Sequence, residues 1–579
     1  MGEGPAVSDF DVVIKQGMIV DGTGAPRYRN DIAIKDGRIV DIGKIDGSRA
    51  AQVIDAEGLI VAPGFIDVHT HYDAQLFWDP YCTMSGWHGV TTVVIGNCGF
   101  GFAPCAPDQR ERSMKSMTRV EAIPLAAMEA ALPWDWVTYP EFLDSLERID
   151  KSVNVLPYVP LGPLLLWVQG WEDAKSGVEP TNEQMAQLKK LLHEALDAGG
   201  CGWSAQRLPP EGGNATQRDF DGTPMPTDCM SNATALEMAK VLGERNQGFM
   251  MMTLNTGDPK ADWAHQEELC EASGRPLLYN AVAVNDDKPN RHRRQLAWLE
   301  ECRKKGLQVI GQGVTVGTFT IFTFVDWNLF DDSQDWADAT CGTHTEKLRK
   351  LSDAGRRPGL IEGSKIVERA QTVTSFRDIT VMKPISAQTQ AFKSRTLGEI
   401  ADEQGRHPVD VMLDIAVADD LGTEFYFEPK QSPELLSELL NYPYIVYGVS
   451  DGGAHTKFAT IGRYPTETIA KHVRELGLID LEKAHWHLSG LPAFVTGMDD
   501  RGTLRRGNAA DIVIYDYDTL DSFPSEVVHD LPGDEWRRVQ RATGYRYVLV
   551  NGEVTIRDDE QTNVPAGNLL RGGRAPDRR

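Results

Sequence analysis

Residues 63–73 read PGFIDVHTHYD, and both the fold and the chemistry can be worked outward from them. An apolar run ends in His69 and His71, two positions apart. In a strand that spacing sends both imidazoles to one face. Neutral imidazole is the commonest metal ligand and suits zinc, iron or nickel. A strand ending in such a pair fits the C-terminal mouth of a parallel barrel, where that fold carries its reactive groups.

The chain on either side supports this placement. Further β-rich runs occur at 91–96 (TTVVIG), 153–160, 200–206, 248–254, 276–284, 306–313 and 443–450. Between them lie segments such as NEQMAQLKKLLHEALDAG and RRQLAWLEECRKKG. Their apolar residues recur at helical spacing, and Gly or Asn closes several of them. Eight β/α units in succession predict an α/β chain whose parallel strands close into a (β/α)8 TIM-type barrel over residues 63–495. Residues 320–395 are too long for an ordinary connection and predict an insertion that shapes or covers the pocket.

Residues 1–62 alternate apolar and polar positions, and the Gln16-Gly17, Asp21-Gly22 and Asp36-Gly37 steps predict hairpin turns. The same pattern returns in 496–560, in GNAADIVIYDYDTL and YRYVLVNGEVTIRD. The two half-sets predict a small β-sandwich built from both chain ends, with 561–579 as a solvated tail.

A formal net charge of −25 over 579 residues repels phosphate backbones and anionic lipid, which argues against nucleic-acid and membrane partners. No run of about 18 apolar residues predicts a transmembrane helix, and no basic-then-apolar start marks a secretory signal. Eight cysteines without framework spacing read as free thiols of a reducing compartment. A cytoplasmic protein acting on a small molecule is the expectation, with homo-oligomerisation left open.

Two more runs carry candidate chemistry. In VVIGNCGFGFAPC, Cys98 ends the second β-run beside the first, where metal coordination can deprotonate a thiol. In PYIVYGVSDGGAHTKF, Asp451 ends the eighth run, which neighbours the first when a barrel closes. A carboxylate there can bind metal and accept a proton from water. His455 can support the site or hydrogen-bond an oxyanion, or be a solvated loop residue. Arg207 and Arg218 follow the fourth run and can clamp a substrate carboxylate. Gln312 is a weaker pocket candidate, and Trp87, Trp203 and Trp327 can line an apolar wall.

Together PGFIDVHTHYD, GNCGFGFAP, SDGGAH and GMDDRGTLRRGNAADIVIYD resemble the N-acyl-D-amino-acid deacylase (D-aminoacylase) branch of the amidohydrolase superfamily, over about residues 10–555. The resemblance implies zinc held by His69, His71, Cys98 and Asp451. It also implies hydrolysis of a non-peptide amide by metal-activated water, with Asp451 as general base. It further implies metal histidines at the ends of strands five and six, where this chain reads GFMMMTLNTGD and PLLYNAVAVND and has none. His265 and His292 fall in or beside the helices that follow. One zinc ion, or another divalent ion, is therefore expected. Strand three reads VPLGPLLLW where the branch implies a GH-x-x-LR-like segment. The alternatives are the same site acting on a lactone, ester or C–C bond, and a non-catalytic scaffold.

Overall fold

A computed structural model describes residues 8–209, 218–326, 330–370 and 373–572. Each predicted β-run contains a strand: β1 (Phe65–Asp67), β2 (Val90–Ile95), β3 (Asn154–Pro157, resumed at Val159–Pro160), β4 (Gly202–Arg207), β5 (Phe249–Leu254), β6 (Leu277–Ala283), β7 (Val309–Val314) and β8 (Ile445–Tyr447). Every residue of β2 and β4 is buried, as expected of parallel strands covered on both faces. Strands β1, β2 and β3 pair in parallel in one sheet. From Val159–Pro160 a second parallel sheet runs through β4, β5, β6 and β7 to β8. A parallel bridge between Thr70 and Gly452 joins the ends that follow β1 and β8.

The intervening helices start and stop where local chemistry dictates. Thr181 and Gln184 form a capping box ahead of Asn182–Ala198, and Gly199 closes that helix in the left-handed region. Asn246 and Gly274 close Asn232–Arg245 and Pro259–Ser273 in the same way. Strands and helices share one large apolar core that includes Trp203 and Tyr158.

The chain ends meet in a nine-stranded mixed sheet. Its joint is the antiparallel pairing of Ile512–Tyr515 with Ile60–Pro63, and its own core includes Ile14, Ile32, Ile54, Ile512 and Leu549. Asp36-Gly37 (φ 50° and 74°) and Asn551-Gly552 (φ 49° and 86°) connect paired strands; both central residues at positive φ are what tight hairpin turns require. Gln16-Gly17 is different. Strand Phe10–Ile19 runs straight through it with a register shift, so the dipeptide is a bulge and not a hairpin turn. Asp31 accepts the Gln16 N–H (2.8 Å), and a Cβ on Gly17 would meet Val61 at 2.4 Å. The partner strands, absent from a local reading, decide the outcome. Near the other terminus, Leu569 and Leu570 are buried and Val155 N–H bonds to Asn568 O (2.9 Å), so this segment docks on β3. Residues 573–579 of the tail lie outside the described residues.

Between β7 and β8 a separate unit forms. Its antiparallel sheet sets Glu424–Phe427 between Thr320–Phe322 and Thr380–Lys383, which carries it past residue 395. Phe322, Phe324, Phe330, Trp336, Phe376 and Phe425 fill its core. That core also takes in Ala122 and Phe458 from outside the unit. Arg119 and Asp331 add a buried ion pair across the junction (Nε to Oδ2, 2.8 Å). Among the described residues no helix is long and apolar enough to cross a membrane.

Candidate metal centre

The two histidines beyond β1 are pinned from both sides. Thr70, between them, donates its hydroxyl to Val94 O on β2 (2.7 Å), and His71 N–H donates to Gly452 O beyond β8 (2.6 Å). Gly453 lies at φ +91°, and a Cβ there would stand 2.5 Å from His71 O, so the Gly-Gly step is what admits this approach. Cys98 turns the chain after β2 at φ 56°. Donor atoms of His69, His71 and Cys98 all lie within 4.8 Å of one another, and all three residues are buried. Asp451, at φ 48°, brings Oδ1 to 3.3 Å from His69 Nε2 and 3.7 Å from His71 Nε2, with its side chain 30% exposed. Gln312 on β7 touches the site through His69: its Oε1 accepts from Nδ1–H (3.0 Å), leaving Nε2 to face Cys98 Sγ (3.5 Å) and Asp451.

These groups open into a cavity of about 620 Å³. Where the deacylase resemblance implies imidazoles, strands β5 and β6 present Thr253 and Asn280, both on the cavity wall. Asn280 Nδ2 donates to Thr253 Oγ1 (2.8 Å), and that hydroxyl is 3.9 Å from Cys98 Sγ. His265 pairs with Glu268 and His292 with Glu438, both off the wall. Arg207 is bonded to Asn232 and is not on the wall, whereas its neighbour Gln206 is. Arg218 is buried elsewhere. The cations that line the cavity are Lys260, Arg291 and Arg294, all carried on segments after β5 and β6. Trp203 belongs to the core and Trp87 lies under the Arg541 guanidinium; Trp327 lies outside the described residues. Among the described residues, Trp263 is the tryptophan on the wall.

A sequence model of the amidohydrolase family matches residues 52–189 and 346–556. The chain belongs to the amidohydrolase family. Among its relatives, D-aminoacylase of Alcaligenes xylosoxydans xylosoxydans is 25% identical over 97% of this chain and 97% of that protein. The N-acyl-D-glutamate deacylase of the same organism is 26% identical over 97% and 96%. A solved N-acyl-D-glutamate deacylase from Bordetella bronchiseptica, in complex with zinc and a phosphonate mimic of the reaction's tetrahedral intermediate, superposes with a TM-score of 0.65. It is 25% identical, covering 97% of this chain and 99% of that one.

The electrostatics of this amidohydrolase's site suit a divalent ion. Burial pulls His71 down to about 3, aided by His69 and His455 and opposed by Asp451, so its imidazole is neutral and its lone pair available at pH 7. Burial pushes the Cys98 thiol up, and the Glu121 and Asp451 carboxylates push it further. A cation reverses that trend, because it stabilises the thiolate directly. Two imidazoles, a sulfur and a carboxylate are donors that zinc accepts, and Gln312 supplies the outer hydrogen bond that fixes a ligating ring. The donor set fits the ion.

Glu121 is an acidic site residue that sequence reading missed, as it missed the cavity cations. It follows helix Arg110–Val120, is 2% exposed and lines the cavity. The sequence around it, TRVEAIP, carries no ligand spacing; an acid set among apolar residues is its only mark. His455 adopts φ 50°, and its N–H donates to Glu121 O (2.8 Å). Burial holds its imidazole neutral, with its pKa below the ordinary value.

Proposed function

We propose that the chain is a metal-dependent hydrolase of non-peptide amide bonds, of the N-acyl-D-amino-acid deacylase kind. The observation that carries this is the convergence of His69, His71, Cys98 and Asp451 at one end of the parallel strands, in a family whose relatives include deacylases. The same reading takes the two parallel sheets as one closed (β/α)8 barrel over 63–495, interrupted by the unit that begins at 320. It takes the terminal sheet as a β-sandwich of 1–62 and 496–560. It also assigns the centre one ion, zinc or another divalent metal, because Thr253 and Asn280 replace the imidazoles of a second position. Eight cysteines, none in a disulfide among the described residues, support a reducing, cytoplasmic setting.

When bound, such an ion would supply Lewis acidity, acidifying water and polarising the scissile carbonyl. The chain's own residues do the rest. Asp451, the most exposed of the four candidate ligands, accepts a proton from the attacking water and returns it to the leaving nitrogen. His455, neutral, has one ring N–H with which to meet the developing oxyanion. A substrate carboxylate finds its cation among Lys260, Arg291 and Arg294, in place of Arg207 and Arg218.

The test is a panel of N-acyl-D- and N-acyl-L-amino acids, simple esters and lactones, offered to metal-replete and chelated protein. Turnover of an N-acyl-D-amino acid that stops on chelation and returns with zinc is the expected result. Metal-replete protein that turns over no amide would overturn the reading, and turnover of esters or lactones alone would move the activity to those bonds.

A further inference from the structure

The other fully buried carboxylates near the cavity are held by N–H or O–H donors. Asp67 accepts from the Ser85 hydroxyl (3.0 Å), Asp73 from Gly96 N–H (3.1 Å) and Asp228 from Leu208 N–H (2.8 Å). Glu121 is different. Its Oε2 is buried with no hydrogen-bond partner among the described residues, and it faces imidazole nitrogens instead. His71 Nε2 is 3.8 Å away and His455 Nε2 is 3.7 Å away. Both histidines are buried, and His455 Nδ1 has no partner among the described residues.

The chain fixes this arrangement from several directions. His455 N–H bonds to the Glu121 carbonyl, Ala122 at φ 51° packs into the core of the 320–427 unit, and Arg119 is held by Asp331. A carboxylate taken out of water with nothing on it costs several kcal/mol. Nitrogen and oxygen ligands about 2.0–2.2 Å from one ion stand roughly 3–4 Å apart, and the 3.8 Å between Glu121 Oε2 and His71 Nε2 falls in that range.

We propose that Glu121 is a further carboxylate ligand of the divalent-cation site, on the side formed by His71 and His455. It restores a donor, and a negative charge, to a centre that receives no imidazole from strands β5 and β6. The inference rests on the metal-dependent reading above.

Full-length protein is stripped with chelator and titrated with Zn²⁺ against a chromophoric competitor, then with Co²⁺ by visible absorption. Glu121→Gln keeps the shape and removes the charge. It is expected to weaken zinc by at least the roughly 10–100-fold that outer-shell partners carry, and to move the cobalt bands, while the metal-free protein melts no earlier than wild type. Zinc affinity and cobalt spectrum both equal to wild type would overturn the proposal. If Glu121→Gln does not fold, Glu121→Asp decides: shifted cobalt bands support ligation and unchanged bands refute it. A wild type that binds neither ion overturns the metal-dependent reading itself, a result separable from failure of Glu121 alone.

Discussion

Replacing Gln312 by leucine separates metal binding from folding. Gln312 is fully buried, and its Oε1 holds His69 Nδ1 at 3.0 Å, turning Nε2 toward Cys98 and Asp451. Its own Nε2 has no hydrogen-bond partner among the described residues. Loss of an outer-shell partner weakens a metal site by about 10–100-fold, or about 1.4–2.8 kcal/mol at 1.4 kcal/mol per factor of ten. The metal-free protein loses one hydrogen bond, about 1 kcal/mol, and exchanges one buried orphan, Gln312 Nε2, for another, His69 Nδ1, at a similar cost of about 1–3 kcal/mol. Its stability is therefore expected to fall by only about 1 kcal/mol while zinc affinity falls further. A competition titration gives the affinity, and calorimetry of the metal-free variant gives the stability. A dissociation constant within about twofold of wild type would refute the role of Gln312. So would a metal-free protein whose melting falls in step with its affinity, because the effect would then be general loosening.

Three further outcomes are expected. Asp451→Asn should fold normally, because φ 48° suits asparagine, yet lose about 10²–10⁴-fold in turnover; near-normal turnover with metal bound would remove Asp451 as the base. Gly453→Ala puts a Cβ against His71 O at 2.5 Å in a left-handed position. It should cost about 1–3 kcal/mol and weaken metal binding, and an unchanged melting temperature and zinc affinity would contradict the packing argument. Asp419, in the 320–427 unit, is raised by burial, but Ile385 and Ser386 N–H and the Ser386 and Thr423 hydroxyls more than reverse this and hold it at about 2. Its folded value lies below the ordinary value of about 3.9, so its stabilisation is present above pH ~4 and is lost as pH falls toward 2. Asp419→Ala should therefore cost about 2 kcal/mol at neutral pH and much less at pH 2. Denaturant melts that show the same gap at both would count against it.

The sequence made His69, His71, Cys98 and Asp451 legible because each depends on one local fact, a strand end within an eightfold β/α rhythm. Strand alternation also separates Arg207 from the cavity. With Gln206 on the cavity wall, its strand neighbour Arg207 must face the other way. Lys260, Arg291 and Arg294 were harder, because which side chains of a helix reach a cavity depends on how the helix packs. Gln16-Gly17 shows the same limit on a small scale: one dipeptide serves a hairpin or a bulge, and the neighbouring strand chooses. Glu121 was out of reach, since what marks it is proximity to two histidines, one 50 and one 334 positions away in the chain.

The unit between β7 and β8 contributes nothing to the cavity wall among the described residues. Its core nevertheless holds Ala122, next to Glu121, and Phe458, three residues after His455. It therefore cannot be traded between related enzymes as an independent cassette. A transplanted unit that folds well but lacks a matching Asp331 or aromatic floor would leave these two residues without their backing. Conversely, with Glu121 holding the ion as proposed, substitutions inside the unit, away from the described cavity wall, would change ion retention and leave the specificity walls intact.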